Sequence, residues 1–530
     1  MTLATEARQA ALARLRATAS WDLAVIGGGA TGLGVALDAA VRGFSVVLVE
    51  SDDFAKGTSS RATKLVHGGV RYLAQGDIGL VREALHERGA LLANAPHVAQ
   101  RLGFVVPGYK FWEPAFYGVG LKAYDALAGR RRLGDTEFLS ARRTAELLPT
   151  VRLQGLSGGV KYWDGQFDDA RLALLLARTA QARGALVLNH VAATSLQRDG
   201  GKVQGLVVRD SETGESFRIA ARCVVNATGV WVDSVRDMDR DAGAAQRAPM
   251  VAPSQGVHLV VDRSFLPGTH ALMVPKTEDG RVLFAVPWLG KVILGTTDTP
   301  RDDIVREPKP FAEEVDFILR EAGRYLSRAP TRADVRSVWV GLRPLVKPAD
   351  DDGENTKAIS REHTVVVGAS GLVTVTGGKW TTYRAMAEDV LDRCMARGLL
   401  PRRAGDVTAR LPLVGAAPGR PLAEPPGEHL YGSEATVLRA LPGAANWLWR
   451  DGSGGLSEAM VRFAARHEMA RSVEDVLARR SRLLFLDARE ASRQADAVAA
   501  ILAEELGPGF DAAASAASFR QLASQYTELP

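Results

Sequence analysis

Cysteine is nearly missing from this chain: only Cys223 and Cys394 occur, far apart, with no CxxC pair and no Cys/His cluster. That argues against a disulfide framework and a structural zinc site, and it fits a reducing cytosol, with both thiols expected as buried small hydrophobes. Also lacking is any apolar run long enough to span a bilayer. The segment Met1 to Ala19 is rich in Ala and Arg, with Glu6 inside it. It has no apolar stretch of the signal-peptide kind and reads as a short helix. An excess of one charge is lacking too, since 66 Lys and Arg stand against 61 Asp and Glu. A balance so mild and dispersed does not point to a nucleic-acid binder, yet suits an anionic substrate or an anionic membrane surface.

What is present is bulk and pattern. With 530 residues, 46% of them hydrophobic, the chain can bury a large core split over more than one unit. From Trp21 it runs strand, glycine turn, helix, strand: Asp22 to Ile26, then Gly27-Gly28-Gly29-Ala30-Thr31-Gly32, a helix from Leu33 to Arg42, and Ser45 to Val49 closing on Glu50. Helices are expected around Leu80 to Ala93 and Asp168 to Arg183, the latter leading into the strand Ala185 to Asn189. Val203 to Val208, Ser216 to Ile219 and Cys223 to Ala227 read as separate strands. Val257 to Val261, Val282 to Val286 and Val292 to Gly295 read as an antiparallel sheet. Asp350 to Asn355 reads as a solvated loop, Pro401 to Pro426 as a linker, and the remainder to Pro530 as helical. The fold class is therefore an α/β, Rossmann-like nucleotide-binding domain in discontinuous pieces, with an antiparallel-sheet domain and a C-terminal helical domain. The expected boundaries are 20–100, 165–235 and 345–400 for the first, 101–164 and 236–344 for the second, and 405–530 for the third.

Gly27-x-Gly29-x-x-Gly32 lies after a strand and before a helix. Glycine there permits the tight turn and lets the backbone approach a pyrophosphate resting on the helix N-terminus. Glu50 ends the next strand, where a carboxylate accepts hydrogen bonds from a ribose diol and repels a 2′-phosphate. FAD is favoured over NAD because two further strands end in glycine turns. One is Val224 to Gly229; the other, Thr374 to Lys379, stands immediately before a helix. The positive end of that helix suits the negative charge of a reduced flavin.

At this point the residues resemble a known family. Thr58-Ser59-Ser60-Arg61-Ala62-Thr63-Lys64-Leu65-Val66-His67-Gly68-Gly69-Val70-Arg71-Tyr72-Leu73 is similar to one signature of the FAD-dependent glycerol-3-phosphate dehydrogenases, and Gly377-Gly378-Lys379-Trp380-Thr381-Thr382-Tyr383-Arg384 to a second. Gly341-Leu342-Arg343-Pro344-Leu345, Asp168-Asp169-Ala170-Arg171-Leu172 and Arg479-Arg480-Ser481-Arg482-Leu483 also resemble the family, so the likeness runs from about Trp21 through nearly the whole chain. It implies a fold of the D-amino-acid-oxidase type with a C-terminal helical cap, non-covalent FAD, and electrons passed to a quinone. It further implies a bacterial layout without the calcium-binding extension of mitochondrial relatives.

The resemblance implies the site residues as well. Arg71, Tyr72, His258, Arg343, Arg361 and Lys379 match positions that line the family's substrate site. A dianionic phosphate needs several cations, preferably arginines that bind two oxygens at once. The implied reaction takes a hydride from C2 of sn-glycerol 3-phosphate to flavin N5 and a proton from its hydroxyl, giving dihydroxyacetone phosphate. His258 is the preferred base because a histidine pKa suits that proton, with a positioned water or Lys379 as alternatives, and Arg343 would stabilise the developing alkoxide. For the cofactor the expected contacts begin with Gly27, Gly29, Gly32 and Glu50. Ser59, Ser60, His67, Gly68 and Gly69 follow from the first signature. Val191 and Gly229, then Gly378, Lys379, Trp380 and Thr381, complete the set.

Two alternatives to a quinone-linked dehydrogenase stay open: an oxidase that passes electrons to oxygen, and a catalytically silent FAD protein. The cationic cluster beside a complete FAD framework argues against the second. A further segment carries Trp112, Phe116, Tyr117, Val119, Leu121, Tyr124 and Leu127, followed by Arg130-Arg131-Arg132 with Arg142 and Arg143 nearby. An amphipathic helix with basic flanks suits a surface position on an anionic membrane. The expected location is therefore cytoplasmic and peripheral on the inner face of the cell membrane. A homodimer is one assembly the sequence leaves open.

Overall fold

A computed structural model describes residues 2–69, 77–240, 248–347 and 363–530. The first sheet is built around the strand Trp21–Ile26, which pairs in parallel with Val46–Val49 on one side and with the end of Ser216–Asn226 on the other. A strand flanked by parallel neighbours is covered on both faces, which is why Leu23 to Ile26 is uninterruptedly apolar and buried. Leu186–Leu188 and Val373–Gly377 extend the parallel order, and His363–Val367 closes one edge antiparallel. The helices Ala30–Val41, Asp169–Ala182 and Tyr383–Ala396 pack together, and with this sheet they bury an apolar core.

Ser216–Asn226 is one strand where the sequence suggested two. Its first half pairs antiparallel with Lys202–Asp210 and alternates exposed and buried; its second half enters the parallel sheet, and Cys223 to Asn226 are buried without a break. The change of environment along a single strand looks like a break when read as a pattern.

The second sheet is almost entirely antiparallel. Its centre is Val251–Asp262, paired with Lys291–Gly295 and with Ser337–Val346. Ala99–Gly108 and Gly158–Phe167 form its other half, joined through a parallel contact to Ala271–Val274. This sheet already takes Leu65–Val66, inside the segment expected to belong to the first unit. The C-terminal region is mainly helical, led by Glu458–His467, Ala488–Leu506 and Ala512–Gln525, but it also holds the hairpin Trp447–Asp451 and Gly454–Ser457. Its core is continuous with that of the second sheet through Phe104, Trp288 and Trp339. The N-terminal helix Leu3–Ala17 ties the ends together: Thr5 donates to the Leu506 carbonyl (2.8 Å), and Arg8 pairs with Asp210 (2.5 Å).

Candidate active site

A cavity of about 680 Å³ lies between the two sheets, a size that suits a large small-molecule ligand. At one end it is walled by the glycine turn and by Glu50. Gly27 has φ +110°, and a Cβ there would stand 2.6 Å from the Ala227 carbonyl oxygen. Only glycine fits that crossing of two strand ends. Gly29 is the N-cap of the helix Ala30–Val41 and offers no side chain to it, so that helix end is turned toward the cavity. Ser59 supplies one cap in trans, its Oγ accepting from the Ala30 N–H at 2.9 Å. Glu50 accepts from the N–H groups of Gly28 (2.7 Å) and Asp52 (2.9 Å). Burial pushes its carboxyl above the usual range, while Gly28 and Ser51 hold it down. These groups fit the pyrophosphate and ribose of an FAD.

The cavity is lined as well by the second signature segment. Gly377 (φ +80°) and Gly378 (φ +70°) turn the strand Val373–Gly377 into the tight turn Trp380–Thr382 ahead of the helix Tyr383–Ala396. Lys379 caps that turn and lines the cavity with Gly378, Trp380 and Thr381. Trp380 donates its indole N–H to the Ser59 carbonyl (2.8 Å), which joins the two signature segments. His67 and Gly69 line the same wall, as does Gly229.

His258 and Arg343 come from the second sheet, placed by register: Ser254 faces Arg343, and His258 lies between Gly295 and Trp339. Arg343 donates to Asp298 (2.9 Å), to the Gln255 carbonyl (3.1 Å) and to the Thr297 carbonyl (2.9 Å). His258 is 2% exposed and stacks on Trp339 with ring centroids 5.3 Å apart. Its Nε2 is 2.9 Å from the Thr63 hydroxyl, while its Nδ1 is buried among the described residues without a partner. Burial, then the charges of Lys64 and Arg343, drive the imidazole pKa well below its ordinary value. Burial and the two cations thus favour the neutral form of the His258 imidazole.

Several expected contacts sit behind the cavity wall. Gly32 serves helix–strand packing, since a Cβ there would be 2.0 Å from the Gly27 carbonyl oxygen. Ser60 is buried, with its carbonyl turned to Lys64 and Arg482. Gly68 donates to Asp164 and leaves no space beside Tyr124. The Val191 N–H is taken by the Glu50 carbonyl (2.8 Å), and it is Ala192 and Ala193 that line the cavity. Arg71, Tyr72 and Arg361 lie outside the described residues, as does the loop 350–355.

Sequence reasoning passed over other groups. Asp298 holds Arg343, and Thr63 holds His258. Arg306, paired with Asp52, and Trp231 line the Glu50 end. Asp298, in Gly295-Thr296-Thr297-Asp298, reads from sequence as structural, and Thr63 stands inside the first signature with no role of its own. Asp53, His190 and Asp475 also gather three donor atoms, but Arg479 and Arg480 fill that knot with guanidinium groups.

Comparison with known proteins covers most of the chain. Residues 22–384 match the family of FAD dependent oxidoreductases, and residues 406–512 match the C-terminal domain of alpha-glycerophosphate oxidase. The mitochondrial glycerol-3-phosphate dehydrogenase of Arabidopsis thaliana is 42% identical over 94% of this chain and 85% of its own length. The human mitochondrial enzyme is 40% identical over 94% of this chain and 72% of its own. Among solved structures, the glycerol-3-phosphate dehydrogenase of Bacillus halodurans complexed with FAD superposes with a TM-score of 0.76 at 31% identity, covering 99% of this chain and 98% of that one.

Proposed function

Since the chain belongs to the family of FAD-dependent glycerol-3-phosphate dehydrogenases, we propose that it oxidises sn-glycerol 3-phosphate to dihydroxyacetone phosphate and delivers the electrons to a membrane quinone. The observation that carries this reading is the convergence of His258, Arg343 and Lys379 on the cavity whose far end is the glycine turn and Glu50. FAD, when bound, supplies the acceptor for the hydride that leaves C2.

The chain's own residues do the rest. Arg343 and Lys379 provide cationic contacts for a phosphate or a developing alkoxide, and Asp298 fixes the guanidinium so that little reorganisation is needed. Arg71, Tyr72 and Arg361 complete the substrate set that the resemblance implies. His258 is the acceptor for the C2 hydroxyl proton. The two cations that depress its basicity are offset when a dianionic substrate enters, so the base strengthens as the substrate binds. The apolar wall of Met273 and Phe284 excludes water from that end.

The quinone reading is supported by a surface feature. In the helix Glu113–Ala128 the buried side is Leu121, Tyr124 and Ala128, and the solvent side carries Phe116 and Val119. Exposed Phe111, Trp112 and Phe138 widen the apolar patch, while Lys122, Arg132, Arg142 and Arg143 rim it with exposed positive charge. An apolar patch of this kind with a basic rim suits an anionic lipid surface. Among the described residues no helix is long and apolar enough to cross a membrane.

A side-by-side assay of one preparation, with lipid or detergent present, tests the acceptor. The expected result is fast turnover with a soluble quinone analogue and slow peroxide release in air. Peroxide formed at the full rate of glycerol 3-phosphate consumption, with no gain from quinone, makes the protein an oxidase instead.

A further inference from the structure

We propose that Thr63 and Lys64 are positioning residues for His258, the first fixing the ring and the second setting its strength as a base. This rests on the reading of His258 as the proton acceptor.

The geometry comes from a buried cluster that three distant segments share. Lys64 Nζ donates to the Ser60 carbonyl and to Asp169 Oδ2, both at 2.7 Å. Arg482 donates to the same Ser60 carbonyl (2.8 Å) and to the other Asp169 oxygen (3.1 Å). Two cations thus clamp the turn 60–64 against one carboxylate, with Asp168 behind it, 3.6 Å from Arg482. The clamp explains two motifs that the reaction itself leaves idle, Asp168-Asp169 and Arg479 to Leu483. Lys64 and Arg482 both adopt φ +64°, a left-handed conformation that a non-glycine residue keeps only where its surroundings over-determine it.

The clamp reaches His258 through Thr63 and through the Trp339 ring. Thr63, the residue next to Lys64, makes the one hydrogen bond found for the imidazole among the described residues. Lys64 Nζ lies over the rings of Trp288, Trp339 and Phe485 at 5.2–5.4 Å, and Trp339 is the ring on which His258 stacks. The charged groups that bear on His258 are Lys64 and Arg343; those that bear on Lys64 are Asp169, Arg482 and Asp168. Burial, with Arg482 acting the same way against Asp169 and Asp168, lowers the Lys64 ammonium to about 7. Asp169 and Asp168 hold the Lys64 charge against this, and while it persists Lys64 is one of two cations opposing the imidazolium of His258.

The test uses the full-length, FAD-loaded protein and follows anaerobic flavin reduction by saturating glycerol 3-phosphate against pH. Thr63→Val removes only the hydroxyl; it is expected to keep the flavin and to slow reduction about tenfold or more, with Thr63→Ser restoring most of the rate. Lys64→Met removes a cation that disfavours the imidazolium. His258 then becomes more basic, so the acid limb of the profile moves up by about one pH unit. A wild-type rate in Thr63→Val together with an unmoved limb in Lys64→Met overturns the proposal. If Lys64→Met does not retain flavin, Thr63→Val decides alone, and a wild-type rate overturns it. His258→Asn separates the two ideas: a wild-type rate and profile there removes His258 as the base, whereas a collapsed rate with normal Thr63 and Lys64 variants removes only this inference.

Discussion

The proposed function makes Arg343 the residue on which substrate recognition depends most. Its guanidinium is fixed by Asp298 and two backbone carbonyls, and its contacts are with the second sheet rather than the glycine turns. Arg343→Ala is therefore expected to leave FAD in place and to remove about 2–4 kcal/mol of transition-state stabilisation. Steady-state kinetics on a yellow, folded variant checks this; near-normal kcat/KM removes Arg343 from the site. Glu50 sits at the other end of the cavity, so Glu50→Ala should lose flavin on dialysis while the flavin that remains is reduced at close to the normal rate. Full flavin content after dialysis counts against its contact with the ribose. At this scale the sequence was readable where chemistry is local. The glycine turn and Glu50 stand at fixed spacing on one βαβ unit. His258–Thr63 and Arg343–Asp298 were not readable, because their partners lie 195 and 45 residues apart and are brought together by sheet register.

At the scale of elements, the helix Glu113–Ala128 makes a prediction of its own. Gly118 lets it settle against Phe138, since a Cβ there would be 2.1 Å from that ring, so the helix presents Phe116 and Val119 outward from a fixed seat. Replacing both with Asp should change the unfolding free energy by no more than about 1 kcal/mol, as exposed substitutions do. It should also abolish co-sedimentation with anionic liposomes at low salt. Unchanged co-sedimentation rules out this face as the membrane contact. The helix was foreseeable from its period, but which of its aromatic residues face outward was not: Tyr124 and Phe116 look alike in sequence, and Tyr124 is buried by its bond to Asp164 (3.1 Å). In the same way Ser60, Gly68 and Val191 fall in the right segments yet point away from the cavity, since the direction of each backbone group depends on partners elsewhere.

Across the whole molecule the C-terminal region is bound to the nucleotide-binding unit by buried charge. Arg479 and Arg480 converge on Asp53, three residues beyond Glu50, and His190 is 2.9 Å from Asp475. Burial lowers the His190 imidazole, but Asp475 and Asp53 more than reverse this, and its pKa is raised. A raised folded-state value means that the pair stabilises fully below the unfolded pKa of about 6.5 and loses its contribution as pH rises through the folded value. The gap in Tm between the wild type and His190→Asn should therefore be widest in mild acid and shrink as the solution becomes alkaline; a gap independent of pH refutes the assignment. The α/β nucleotide-binding unit and the C-terminal helical region were visible in the sequence, the first from its strand–glycine-turn–helix order and the second from its helical pattern. The ionic seam between them was not, because its arginines and acids look like ordinary surface charge until the domains meet.

The central claim is that this cavity holds FAD and reduces it with glycerol 3-phosphate. The most direct measurement is the flavin absorbance of the purified protein without oxygen, on addition of sn-glycerol 3-phosphate, glycerol, lactate, glycine or D-alanine in turn. The account predicts rapid bleaching with glycerol 3-phosphate and none on the same timescale with the others, because only that compound gives the cations around Arg343 and Lys379 a dianion to hold. A protein that keeps its yellow colour with glycerol 3-phosphate, or bleaches as fast with glycerol or an amino acid, contradicts it.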